Sequence, residues 1–174
     1  MNIYKKFFIT VQKNKELINK MKKTINLGVI GIDHGHIFDM LDEMLKEGCT
    51  CDYFWTEGEP LTLKEFNSKY PNIKRKENKK EILNDPSIDM ILISSVPKDR
   101  AYNSIEALKA GKDVMVDKPG CTTLDQLNQL KQTVKETGKI WSVNFSERFH
   151  VAAVAKSEEL VDAGKIGEVK QTIG

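Results

Sequence analysis

The residues best suited to chemistry lie in one short turn near the start of the sequence. The stretch 25–30 predicts a buried strand, and an amphipathic helix is predicted to begin after the turn Gly31 to His36. One side of that helix is apolar and consists of Ile37, Met40, Leu41 and Leu45. A strand, a sharp turn and a helix start in this order present backbone amides and the positive end of the helix dipole to an anion. We therefore interpret this stretch as a phosphate-binding turn.

The turn matches the dinucleotide fingerprint G-x-G-x-x-G only at its first glycine, Gly31. Asp33 stands at the second glycine position and His36 at the third, while Gly35 lies between the two histidines. A carboxylate at position 33 would repel a pyrophosphate. His34 and His36 could offset that charge if protonated or could serve the site themselves, although a histidine in a turn is often only a polar surface residue. On its own, the fingerprint is a weak indication of nucleotide binding.

Downstream of the turn, predicted strands and helices alternate along the chain. The predicted strands are 50–56, a short one around Ile73, 88–94, 113–116, 140–143 and 168–173. The predicted helices are 61–70, 79–83, 100–110, 124–136, begun by Thr122 or Thr123, and 151–163. Parallel strands joined by right-handed helical crossovers form a doubly wound sheet. We predict an α/β fold with a Rossmann-like, three-layer α/β/α architecture.

The predicted strands end in residues that could contact a ligand. Open α/β sheets bind ligands beyond the carboxyl ends of their strands, which is also where the turn 31–36 lies. The residues that follow the later strands are Ser94, Val96 and Pro97, then Asp117 and Lys118, and finally Asn144 and Arg148. A lysine at this edge can hydrogen-bond a substrate hydroxyl and shift its acidity, although a lysine before a proline is more often a surface charge.

Glu57 follows the second predicted strand, at about the distance from Gly31 at which dinucleotide-binding units place an acidic side chain on the adenosine ribose. A carboxylate there favours NAD and repels the 2′-phosphate of NADP. The alternative is a solvated loop acid next to Gly58. Glu57 is therefore our candidate for choosing between the two cofactors.

Composition bounds the remaining possibilities. The chain has 174 residues, 40% hydrophobic and 30% charged, with no apolar run close to the roughly 20 residues that a membrane helix needs. The formal net charge is +2, but Met1 to Thr24 holds seven lysines against one glutamate, so the remainder is mildly acidic. We therefore expect no membrane span and no nucleic-acid partner.

We predict a basic extension over 1–24, a dinucleotide-binding domain over 25–150, and over 151–174 a linking helix with the start of a truncated α/β domain.

The three cysteines, Cys49, Cys51 and Cys121, show no C-x-x-C spacing. An odd number without a metal-binding pattern predicts reduced thiols in a cytoplasmic protein. We find no support for a zinc site and expect no metal site in this chain.

From about Lys22 to its last residue, the chain resembles the amino-terminal half of the Gfo/Idh/MocA oxidoreductases. The matching blocks are GVIGIDHGH, SSVPKDRAYNSIEALKAGKDVMVDKP, NFSERFH and LVDAGKIGEVKQTIG. The family's E-K-P signature corresponds to Asp117-Lys118-Pro119, which implies that Lys118 lies beside the nicotinamide and the substrate. The resemblance also implies that Arg148 contacts cofactor or substrate, with a salt bridge to Glu147 as the alternative.

The resemblance implies an NAD(P)-dependent oxidoreductase that transfers hydride between nicotinamide and a sugar, a polyol or a similar secondary alcohol. The family's carboxyl-terminal domain supplies an Asp and a His for proton transfer, so we expect this chain alone to bind cofactor and turn over poorly. A full-length parent could form a homo-oligomer. The alternatives are a non-catalytic nucleotide-binding or regulatory module, and an interaction protein without a ligand.

Overall fold

The computed structural model describes residues 24–145 and 151–171. Six strands form one sheet, and they are β1 (Asn26–Ile32), β2 (Thr50–Trp55), β3 (Lys74–Arg75), β4 (Met90–Ser94), β5 (Asp113–Asp117) and β6 (Trp141–Asn144). Their order is β3-β2-β1-β4-β5-β6, and every neighbouring pair is parallel. This is the doubly wound order of the Rossmann fold, as predicted.

Helices connect successive strands, and one more described helix follows β6. They are α1 (His36–Lys46), α2 (Leu63–Lys69), α3 (Lys79–Leu83), α4 (Pro97–Lys109), α5 (Leu124–Thr137) and α6 (Ala152–Asp162). Local chemistry sets several of their ends. The side chain of Asn78 and that of Glu81 form a reciprocal capping box at the start of α3. Thr123, one of the two threonines predicted to begin α5, accepts a hydrogen bond from the Gln126 amide.

The core has two parts because alternate residues of the strands face opposite sides of the sheet. In β1, Leu27 and Val29 pack with α1 and α2, whereas Ile30 packs with residues of α4 and α5. Ile91, Leu92 and Ile93 of β4 are fully buried, and β4 pairs with β1 on one side and β5 on the other. The sheet is therefore covered on both faces, and the most apolar strand lies inside it, as predicted.

Two segments differ from expectation. The helix predicted to begin at Arg100 begins at Pro97, because a proline is well suited to the first turn of a helix. The strand predicted over 168–173 is not formed at residues 168–171, and positions 172–173 lie outside the described residues. A strand needs a neighbouring strand for its backbone hydrogen bonds, and residues 168–171 pair with none.

None of the helices in the two described ranges is both long enough and apolar enough to cross a lipid bilayer.

A candidate ligand site at the carboxyl edge of the sheet

Gly31 brings the ends of β1 and β4 into close contact. Its φ is +76°, and a Cβ at this position would lie 2.5 Å from the Cβ of Ser95 and 2.8 Å from the Ser95 nitrogen. Only glycine fits both the backbone conformation and the space. Gly35 is different, because a Cβ there would meet no atom within 4 Å. The first glycine of the turn is thus structurally required, and Gly35 is not.

The turn is braced by hydrogen bonds to the end of β4. The His34 amide donates to the Ser94 carbonyl at 3.2 Å, and the Ser94 hydroxyl donates to the His34 carbonyl at 3.2 Å. Ser94 itself is fully buried. The structure therefore places Ser94 behind the turn as a support, rather than on the surface that a ligand would touch.

The first amides of α1 have partners within the turn, which differs from the expectation of unpaired amides. The amides of Ile37 and Phe38 donate to the carbonyls of His34 and Gly35, at 3.2 and 3.1 Å. The His36 amide donates to the imidazole Nδ1 of His34 at 3.2 Å. The His34 ring thus occupies the position from which a bound anion would accept a hydrogen bond from the His36 amide.

Both turn histidines reach the carboxylate at the end of β5. His36 Nδ1 lies 2.8 Å from Oδ1 of Asp117, and His34 Nδ1 lies 3.4 Å from Oδ2. The Asp117 side chain is 1% exposed, whereas that of His34 is 51% exposed. These three side chains therefore form a cluster, open to solvent on the histidine side, that joins the turn after β1 to the end of β5 across the intervening β4.

The buried side of the Asp117 carboxylate is bound by Arg100, a role that we did not predict. Its guanidinium donates to Asp117 Oδ2 at 2.8 Å and to the Ser95 carbonyl at 2.7 Å, and it also bonds the Lys118 carbonyl. Arg100 is 2% exposed. Burial lowers its pKa, and the Asp117 charge opposes that shift. A buried arginine with these partners ties the ends of β4 and β5 together.

Lys118 and Asn144 lie at the far side of this edge. Asn144 pairs in register with Asp117, and Lys118 is partly exposed directly after β5. Because Arg100 fixes the Lys118 carbonyl, the backbone that carries the lysine is held in place. Arg148 was predicted to join this group, and it lies outside the described residues.

A cleft of about 270 Å³ opens on the other side of the turn. The ends of β1, β2 and β4, the first turn of α3 and the first three turns of α4 line it with Gly31, Asp33, Trp55, Glu57, Lys79, Ser95, Val96, Asp99, Tyr102, Asn103 and Glu106. Pro97 is exposed at the first position of α4, next to Val96. The cleft lies where the strand order reverses between β1 and β4, which is the usual ligand position in doubly wound sheets.

The cleft is rich in carboxylates. Asp33, Glu57, Asp99 and Glu106 face a single lysine, Lys79, whose ammonium pairs with Glu106 and lies 2.9 Å from Asn103 Oδ1. The pKa of Asp33 is raised, chiefly by burial and further by the charges of Asp99 and Glu57, although its own backbone amide acts in the opposite sense. The electrostatic potential here opposes additional negative charge.

Residues 25–145 match the model of an oxidoreductase family with an NAD-binding Rossmann fold, GFO_IDH_MocA. The chain is 36% identical over 88 residues to scyllo-inositol 2-dehydrogenase (NAD(+)) of Bacillus subtilis strain 168, covering 51% of this chain and 25% of that protein. It is 24% identical over 147 residues to scyllo-inositol 2-dehydrogenase (NADP(+)) IolW of the same strain, covering 81% and 37%.

A solved structure from Erwinia carotovora atroseptica SCRI1043, provisionally named an oxidoreductase, superposes with a TM-score of 0.80 at 34% identity. That match covers 84% of this chain and 44% of the solved chain. The chain therefore spans less than half of the length of each of these relatives.

Proposed function

We propose that this chain, which belongs to the GFO_IDH_MocA oxidoreductase family with an NAD-binding Rossmann fold, binds a nicotinamide dinucleotide across the carboxyl edge of its sheet. The observation that carries the proposal is the close approach of Gly31 to Ser95 at the reversal of strand order. It leaves a cleft on one side of the turn and Lys118 on the other, so the two halves of a dinucleotide would lie on either side of Gly31.

The adenosine half would lie in the cleft, with Glu57 accepting hydrogen bonds from the ribose hydroxyls. We propose a preference for NAD, because a 2′-phosphate would add negative charge to a cleft that already holds four carboxylates and one lysine. The nearby Arg75 is engaged elsewhere, since it donates to Glu59 at 2.8 Å and to the Thr56 carbonyl at 3.1 Å. The two named inositol dehydrogenases use NAD and NADP respectively, so this preference rests on the charge of the cleft.

The pyrophosphate would lie over the start of α1. A phosphate oxygen can accept a hydrogen bond from the His36 amide only after it displaces the imidazole of His34. The Nδ1 of that imidazole now lies 3.2 Å from the His36 nitrogen. Asp33 opposes the ligand through its charge, whereas the helix dipole and a protonated histidine favour it. This balance predicts weaker binding than a turn with glycine at the second fingerprint position would give.

The nicotinamide would lie toward Asp117, Lys118 and Asn144. The cofactor supplies hydride chemistry when bound, and the protein supplies position and electrostatics. We propose that the Lys118 ammonium donates a hydrogen bond to the reacting oxygen of a sugar, a polyol or a similar secondary alcohol, which stabilises the developing alkoxide. The Arg100 contact to the Lys118 carbonyl would fix the backbone from which that side chain extends.

A titration of NADH fluorescence against the purified chain tests this proposal. We expect saturable binding that is tighter for NADH than for NADPH. Glu57→Ala should weaken NADH binding and reduce the difference between the cofactors, because the ribose contact and the repulsive charge are lost together. Glu43→Gln, which removes an exposed charge on α1 that pairs with Lys46, is the matched control and should bind as the wild type does. Absence of saturable binding would refute the proposal.

A non-catalytic nucleotide-binding module is the second candidate. Two features favour this candidate: the hydrogen bond between the His36 amide and the His34 ring, and the charge of Asp33. Both oppose the tight cofactor binding of an efficient dehydrogenase. Incubating the chain with NAD and a cyclic polyol and following NADH absorbance separates the two. Because this chain alone is expected to turn over poorly, the comparison uses its residual rate. A residual rate that is lost in Lys118→Ala would favour the enzyme, and a residual rate that this variant leaves unchanged would favour the module.

A further inference from the structure

We infer that His34, His36 and Asp117 form a binding site for one first-row divalent transition-metal ion of the zinc type. The inference does not depend on cofactor binding, because the three donor atoms are assembled by the fold alone. Within the ranges 24–145 and 151–171, these residues are the one group of histidine and carboxylate side chains with the spacing of a metal site. The donors come from the turn after β1 and from the end of β5.

The spacing of the donor atoms fits a small ion. One ligand atom from each residue lies within 4.8 Å of the other two, and the closest pairs are His36 Nδ1 to Asp117 at 2.8 Å and His34 Nδ1 to Asp117 at 3.4 Å. Ligands bound to zinc at about 2.0–2.2 Å in tetrahedral geometry lie roughly 3.4 Å apart. The 2.8 Å contact is to Oδ1 and the 3.4 Å contact is to Oδ2 of Asp117. Binding an ion therefore requires the shortest contact to open by about 0.6 Å and the widest pair to close by up to about 1.4 Å.

The orientation of the rings also fits coordination. His34 Nδ1 accepts a hydrogen bond from the His36 amide, so this nitrogen carries a lone pair, which an ion would take over from that amide. His36 Nδ1 lies 2.8 Å from Asp117 Oδ1, and coordination of an ion would require this nitrogen to be unprotonated, with the ring proton on Nε2. The histidine rings meet edge to face with centroids 4.3 Å apart, which leaves both Nδ1 atoms on the side of Asp117.

The carboxylate ligand is held by a second layer of contacts. Arg100 donates to Oδ2 of Asp117 and to the Ser95 carbonyl, and it is almost completely buried. Contacts of this kind orient a ligating carboxylate. Since Oδ2 is bound by the guanidinium and Oδ1 faces His36, coordination through Oδ1 would keep the Arg100 contact intact.

The donor set indicates the class of ion. Two imidazoles and one carboxylate suit zinc and its neighbours, whereas calcium and magnesium prefer a shell of oxygen atoms. Three protein ligands also leave at least one coordination position for water or a ligand oxygen. His34 is half exposed, so the ion can enter from solvent.

Cobalt(II) is the probe, because its visible spectrum reports both occupancy and donor type. The chain is purified without a histidine tag, treated with EDTA, dialysed and titrated with CoCl₂, and then with ZnCl₂ as the competitor. We expect visible absorption bands that saturate at one cobalt per chain and are abolished by zinc. His34→Ala and His36→Ala should each weaken binding by roughly tenfold or more, because the loss of even an outer-shell partner of a metal ligand costs about 10–100-fold.

Controls separate this site from others on the chain. Glu43→Gln should bind cobalt as the wild type does, and thermal unfolding without metal should show that both histidine variants are folded. Because Asp117 is paired with buried Arg100, its replacement could disturb folding, so the histidine variants carry the test. The inference is overturned if no cobalt binds saturably, if both histidine variants bind with unchanged affinity, or if a thiolate charge-transfer band places the ion on a cysteine. NADH binding measured in EDTA is a separate result, so either proposal can fail alone.

Discussion

Replacement of Gly31 by alanine tests the close approach on which the whole site rests. The backbone at Gly31 has φ of +76°, a left-handed conformation that costs an L-residue about 1–2 kcal/mol. The new methyl group would also lie 2.5 Å from Ser95 Cβ, 2.7 Å from its Cα and 2.8 Å from its nitrogen. The Cα and the nitrogen belong to the backbone directly after β4, and the Cβ is attached to that Cα. None of the three atoms can therefore move aside as the tip of a flexible side chain would.

Forcing an additional methyl group into a packed site costs about 1–3 kcal/mol. Together with the conformational cost, we expect Gly31→Ala to lower the free energy of unfolding by about 2–5 kcal/mol. That loss is large against the roughly 5–15 kcal/mol of a typical domain. NADH binding should also weaken, because the two strand ends that flank the proposed pyrophosphate position must separate.

Urea denaturation of a three-variant series separates the two costs. Gly138→Ala meets the same left-handed backbone, with φ of +66°, but no atom within 4 Å, so it should lose only the conformational part. Gly35→Ala meets neither condition and should stay within about 0.5 kcal/mol of the wild type. If the m-values are unchanged and Gly31→Ala lowers the free energy of unfolding no more than Gly138→Ala does, the proposed clash with Ser95 is refuted.

Three further predictions concern charged groups. Arg100→Met should lower the free energy of unfolding by about 3–5 kcal/mol in urea denaturation, because it leaves the carboxylate of Asp117 buried without its partner. A loss of stability no larger than that caused by a substitution at an exposed position would contradict the role given to Arg100. Burial of Asp42 acts to raise its pKa, but hydrogen bonds from Lys69 and Tyr70 outweigh it, so the folded pKa lies below 3.8. The stability that Asp42 contributes should therefore be complete above pH 3.8 and disappear as the pH falls through the folded pKa. The difference in free energy of unfolding between the wild type and Asp42→Asn should shrink across the same pH range. Asp33→Asn should tighten NADH binding by about fivefold in a fluorescence titration, since a like charge at 4 Å costs about 1 kcal/mol even in water; unchanged affinity would place the pyrophosphate elsewhere.

The sequence predicted most of the fold because the signals for it are local. Alternating apolar segments placed all six strands of the sheet within a few residues of their observed bounds, and the continuous run ending at Ser94 identified a central strand. Gly31 was identifiable as the first glycine of the turn. The start of α4 at Pro97 was missed because we gave too little weight to proline as a first helical residue.

The contacts within the site were harder to predict because they join distant parts of the chain. Nothing near Arg100 in the sequence indicates that its guanidinium reaches Asp117, and nothing near His36 indicates that its ring does so too. A buried position on α4 occupied by an arginine was the available signal, since an arginine is rarely buried without a partner. The pairing of the His34 ring with the His36 amide depends on side-chain rotation, which sequence patterns do not report.

Amide chemical-shift mapping with NADH tests the central claim most directly. In ¹⁵N spectra of the chain, we expect NADH to shift the amides of residues 31–36 together with those of Glu57, Val96, Lys118 and Asn144, which line one edge of the sheet on both sides of the turn. The His36 amide should shift strongly, because the ligand replaces the His34 ring as its hydrogen-bond partner. Shifts confined to other surfaces, or the absence of any shift, would contradict a dinucleotide site at this edge.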